Sequence, residues 1–124
     1  MSDPRAGDVW RYDYLWRRQH EAGETEGRKT RPVALVAAIA GQDGRTNLFI
    51  LPITSKPPTG GRMAIEIPRI ERRRAGLDDI PLWVMIDEYN HDILDASFYF
   101  DPNGRIGRFS AAAQERIAAR VPRT

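Results

Sequence analysis

Apolar residues concentrate in two strand-length runs, Val33-Ala34-Leu35-Val36-Ala37-Ala38-Ile39 and Leu48-Phe49-Ile50-Leu51-Pro52-Ile53. Between them stands Gly41-Gln42-Asp43-Gly44, whose Gly and Asp residues suit a turn. Runs this continuous predict strands buried on both faces or placed at the heart of a barrel. Polar groups bracket the pair: Arg31-Pro32 leads the first run, and Thr54-Ser55 closes the second. If the two runs form an antiparallel hairpin, Arg31 and Thr54 reach the same end of the sheet.

Period-2 patterning also marks Val9 to Trp16, where Trp10, Tyr12, Tyr14 and Trp16 share one face. Such a face stacks nucleic-acid bases or forms the core side of a small barrel. The second reading suits Trp10, Tyr12 and Tyr14, whereas Trp16 borders a loop. That loop, residues 17–30, is polar and carries Gly23 and Gly27; connections of this length tend to be functional or mobile. A breaker cluster, Lys56-Pro57-Pro58-Thr59-Gly60-Gly61, precedes a short strand over Met63–Ile67 that Pro68 ends or marks as an edge. Arg72-Arg73-Arg74 is the densest basic run and reads as a solvated surface turn or a phosphate contact. Pro81–Ile86 predicts another buried strand, ending in Asp87-Glu88. Ala96–Phe100 predicts one more, closed by a turn at Asp101-Pro102-Asn103-Gly104. Ser110 is a plausible N-cap for a helix over Ala111–Val121, with Ala113, Ile117 and Val121 as its apolar stripe and Pro122 as its stop. The expected class is mainly β: a small, partly open barrel of five to seven strands with a short C-terminal helix.

Composition narrows the chemistry. At 124 residues, 41% hydrophobic and 29% charged, the chain reads as one domain of an ordinary globular protein. No apolar run approaches the roughly 20 residues of a membrane-spanning helix. The N-terminus lacks an apolar signal region, so a cytoplasmic location is expected. The absence of cysteine excludes disulfides, thiolate metal sites and a Cys nucleophile. Net charge is only +2, but Lys29 and Lys56 are the sole lysines, and the arginines suit bidentate phosphate contact. His20 and His91 lack metal-ligand spacing, and no Gly-rich phosphate loop or nucleophile elbow occurs, so no metal or cofactor is expected.

In chain order, Gly7-Asp8-Val9-Trp10, Arg31-Pro32-Val33, Pro52-Ile53-Thr54-Ser55, Gly76-Leu77 and the C-terminal helix resemble the MazF/PemK family of toxin ribonucleases. The resemblance spans roughly residues 7–121. It implies a CcdB/PemK-like, SH3-like barrel, usually a homodimer, that cuts single-stranded RNA without a metal and is held in check by a cognate antitoxin. It also implies that Arg31 and Thr54 are catalytic. Glu26, five before that Arg, and Asp87, at the end of the later strand, are the acidic candidates. Ser55, Lys56, Trp16, Arg28, Lys29 and His91 are the RNA-binding candidates around them. Where many members carry a Gln-to-Arg segment, this chain has Asp87-Glu88-Tyr89-Asn90-His91-Asp92, whose carboxylates should repel phosphate if they face the groove.

Metal-independent cleavage uses the substrate's own 2′-hydroxyl as nucleophile. Arg31 can offer a planar fork of donors to the phosphoryl oxygens, and Thr54 with Ser55 can orient an oxygen. Either Glu26 or Asp87 can serve as the base, and the sequence does not choose between them. The rival expectation is a barrel of the same shape that only binds protein, as gyrase-poisoning relatives of the fold do through their C-terminal helix, or a member that has lost catalysis.

Overall fold

The computed structural model describes residues 4–17, 29–94 and 100–122. In chain order the elements are β1 (Asp8–Tyr14), β2 (Lys29–Ala40), β3 (Thr46–Thr54), β4 (Ala64–Glu66), α1 (Arg69–Arg74), β5 (Trp83–Met85), β6 (Asn90–Ile93), β7 (Phe100–Arg108) and α2 (Ala111–Arg120). Among the described residues, the strands form one open antiparallel sheet in the order β4-β5-β3-β2-β1-β7, and β6 also pairs with β3. A mainly β fold is thus what the patterning expects. None of the helices among the described residues is long and apolar enough to cross a membrane.

The central hairpin forms with Val33 opposite Pro52 and Ala40 opposite Thr46, closing through the polar turn. β3 is the strand shared by two neighbours on its far edge: Asn47–Ile50 pairs with β6, whereas Ile53 and Thr54 pair with Val84 and Trp83 of β5. Alternation then sends its side chains into two cores. Leu51 and Ile53 join Val9, Ala34, Val84, Ile86 and the α2 residues Ala113 and Ile117. Leu48 and Ile50 join Val33, Leu35 and the aromatics Trp10, Tyr12 and Tyr14 on the opposite face. Those three aromatics are therefore core, and Trp16 at the end of the row is only half-buried.

Four expectations change. The loop after Trp16 closes sooner, because Lys29 and Thr30 already pair with Tyr14 and Asp13. The arginine run is a helix rather than a surface turn. α1 ends in a Schellman cap: the Leu77 N–H reaches the Arg72 carbonyl and the Gly76 N–H the Arg73 carbonyl, with Gly76 at φ +75°. The turn expected at residues 101–104 lies inside β7. Six residues of β7, from Phe100 to Arg105, span only the three from Trp10 to Tyr12 of β1, so the turn formers are absorbed in an irregular bulge. There the Asn103 N–H donates to Asp101 Oδ1 at 2.8 Å. Residues 96–99 of the strand expected there lie outside the described residues. Finally, β6 has no apolar alternation of its own and forms because β3 presents an open edge beside it.

Buried carboxylates fasten the ends of the sheet. Asp8 is fully buried, accepts from Arg108 Nε at 2.9 Å, and lies 3.4 Å from Arg105 Nη2. Glu71 of α1 accepts from both the N–H (2.9 Å) and the hydroxyl (2.8 Å) of Ser110, whose Oγ caps α2 by accepting from the Ala113 N–H. The two helices are thereby tied together, and β7 passes so close to α1 that a Cβ on Gly107 would lie 2.3 Å from the Ala75 carbonyl oxygen.

Candidate functional site

The hairpin register sets the site. Val33 faces Pro52, so two residues further along β2 and β3 Arg31 comes level with Thr54 at the same end of the sheet. On its other side β2 pairs Arg31 with Tyr12 of β1. β1 runs out beside it into Trp16, whose ring lies 5.1 Å from the Arg31 guanidinium carbon, a cation–π contact. Trp16 in turn meets the buried Tyr14 edge-on, with ring centroids 5.3 Å apart. Thr54 ends β3, and its Oγ1 accepts from the Lys56 N–H at 3.1 Å. That bond occupies a lone pair and leaves the hydroxyl hydrogen able to donate.

Trp16, Arg31, Thr54 and Lys56 border a cleft of about 640 Å³. Its polar lining includes Arg17, Lys29, Arg31, Thr54, Ser55, Lys56 and Arg62, with Trp16, Ile53, Ile80, Leu82 and Met85 supplying apolar surface. Among the described residues, five cations line it against two carboxylates, Asp78 and Glu88. The volume lies within the usual range for a ligand site. The balance of charge favours an anion.

Glu88 is spent on structure. Only 8% exposed, it accepts from Tyr14 Oη at 3.0 Å, from the Arg17 N–H at 2.9 Å and from Arg62 Nη2 at 2.9 Å. Burial, and then the adjacent Glu88 charge, push the Tyr14 hydroxyl far above its ordinary value, so Tyr14 stays a donor. Asp87 is engaged by the same arginine, through Arg62 Nε at 2.7 Å and Nη2 at 2.8 Å, and by the Met63 N–H at 3.2 Å. The Arg62 hydrogen bonds hold the Asp87 carboxyl below the usual range against the opposing effect of burial.

No protein-family model matches the chain, and no curated protein matches it.

Of the residues expected from sequence, Trp16, Lys29, Arg31, Thr54, Ser55 and Lys56 all line this one cleft. Asp87 does not line it, being turned to Arg62 and Met63. His91 sits on β6 opposite Phe49, stacked on that ring at 5.0 Å and bonded to Asn47 Oδ1 at 2.8 Å, five residues along β3 from Thr54. Glu26 and Arg28 lie outside the described residues. The acidic stretch is largely spoken for: Asp87 and Glu88 through Arg62, and Asp92 through the Tyr12 hydroxyl at 2.7 Å. Sequence reasoning missed Arg17, Arg62 and Asp78. Arg62 stands alone in a glycine-rich breaker, and nothing local announces acidic partners 25 and 26 positions later.

Proposed function

We propose that this protein is an endoribonuclease that cleaves single-stranded RNA through the substrate's 2′-hydroxyl, in an SH3-like barrel of the MazF/PemK kind. The observation that carries this reading is the meeting of Arg31 and Thr54 in one cation-lined cleft. A phosphodiester there receives the Arg31 fork on its non-bridging oxygens. Thr54, its acceptor side occupied by the Lys56 N–H, donates to the same phosphoryl group. Both interactions strengthen as negative charge accumulates in the transition state, which is the condition for accelerating the reaction. Lys29 and Lys56 add long-range attraction for the backbone, and Trp16 offers a half-exposed ring for a flanking base.

The engagement of Asp87, Glu88 and Asp92 with Arg62, Tyr14, Arg17 and Tyr12 supports the nuclease over a barrel that only binds protein. The carboxylates that would repel RNA already have partners. Under this reading the partners are single-stranded RNA, a cognate antitoxin protein and a second copy of the chain, and the reaction takes place in the cytoplasm. The test is incubation of the purified protein with a long single-stranded RNA in EDTA. Fragments ending in a 2′,3′-cyclic phosphate, with 5′-hydroxyl partners, are expected; intact RNA contradicts the proposal.

A further inference from the structure

Transesterification needs a group to take the 2′-hydroxyl proton, and a carboxylate can do so only through a lone pair that is not already committed. Two carboxylates line the cleft among the described residues. Glu88 is buried under three donors. Asp78 is exposed, and no hydrogen bond or ion pair engages its side chain among the described residues. Its neighbour behaves differently: Asp79 pairs with Arg69 and Arg72, each at 3.3 Å. Alternate residues of the lead-in to β5, namely Asp78, Ile80 and Leu82, line the cleft, while Asp79 is tied back to α1. The contacts of Asp79 with Arg69 and Arg72 thus lie on the α1 side, and Asp78 lies on the cleft side.

We propose that Asp78 is the general base of the cleft. This rests on the endoribonuclease reading given above. The carboxylate removes the 2′-hydroxyl proton as the 2′-oxygen bonds to phosphorus. The bond from phosphorus to the 5′-oxygen breaks, that oxygen takes a proton from water, and protonated Asp78 returns its proton to the hydroxide left behind, restoring the carboxylate. The products are a 2′,3′-cyclic phosphate and a 5′-hydroxyl, with no oxidant, reductant or further reactant consumed. Arg31 and Thr54 hold the phosphoryl oxygens throughout.

The experiment compares wild type, Asp78→Asn, Asp78→Ala and Glu26→Gln on a short fluorogenic RNA in EDTA, with thermal melts of each. A second substrate carries sulfur in place of the scissile 5′-oxygen, a leaving group that needs no proton. Asp78→Asn should melt like wild type and lose about 10²- to 10⁴-fold in kcat with KM little changed. The loss should persist on the sulfur substrate, because the defect is at the nucleophile. Formate should restore Asp78→Ala in proportion to its concentration, which a structural role would not produce. Wild-type kcat in folded Asp78→Asn, a defect erased by the sulfur leaving group, or no response to formate overturns the assignment. So does total loss in Glu26→Gln beside an active Asp78→Asn. Each of these leaves the nuclease reading standing, whereas wild-type protein that cleaves neither substrate refutes that reading and Asp78's role with it.

Discussion

Replacing Glu88 by alanine removes the acceptor shared by Tyr14 Oη, the Arg17 N–H and Arg62 Nη2. The three losses are unequal. Tyr14 is fully buried, so its hydroxyl is left without a partner and without water, at a cost of about 1–3 kcal/mol. Arg17 is exposed, and its N–H can turn to solvent. Arg62 keeps Asp87, and its side chain is 33% exposed, so the loss of one partner there is screened to about 0–1 kcal/mol. Together Glu88→Ala should destabilise by about 1–4 kcal/mol, a fall in Tm of roughly 3–20 °C for a chain of this size. Glu88→Gln, which keeps an oxygen for Tyr14, should fall well short of that. Urea unfolding of Glu88→Ala, Tyr14→Phe and the double variant isolates the pair, and a coupling of about 1 kcal/mol is expected because each change removes the same buried bond. A cost below about 0.5 kcal/mol for Glu88→Ala, with strict additivity, would refute the reasoning.

Two further predictions concern the frame around the cleft. Gly107→Ala places a methyl 2.3 Å from the Ala75 carbonyl, where backbone must move on both sides, and should cost at least about 2–3 kcal/mol in urea unfolding; a wild-type midpoint would contradict the close approach. Acid should destabilise the fold through Glu71 and Asp87. Burial pushes Glu71 up but is outweighed by the Ser110 N–H and hydroxyl together with Arg74 and Arg116, so its carboxyl sits below its ordinary value of 4.5. Asp87, held chiefly by Arg62, sits below 3.8. For depressed carboxyls the stabilisation is complete above the unfolded-state values and is lost as pH falls through the lower folded ones. Melting temperature should therefore drop below about pH 4 and flatten in Glu71→Gln; an unchanged slope in that variant would remove Glu71 from the explanation.

Much of the frame was legible because it rests on period-2 burial. The hairpin, its shared end for Arg31 and Thr54, and the aromatic row of β1 all follow from alternation and antiparallel pairing. The Ser110 cap was readable from residue type, although its second role, donating to Glu71, depends on a partner 39 positions away. What escaped the sequence is tertiary in origin. β6 owes its strand to an open edge on β3, and the residues at 101–104 spend their turn chemistry on a bulge. The reach of Arg62 to Asp87 and Glu88 is equally invisible locally, and it shows why the acidic stretch does not simply face the cleft.

If Arg31 and Thr54 act together on a phosphate in this cleft, as proposed, the rate of RNA cleavage by Arg31→Ala reveals it most directly. Arg31 is half-buried at a strand end, against the Trp16 ring and outside both cores, so the variant should melt close to wild type. In EDTA, on the same fluorogenic RNA, its kcat should fall by about 10²- to 10³-fold, the scale set by loss of one transition-state donor. Folded Arg31→Ala that cleaves at the wild-type rate would contradict the account.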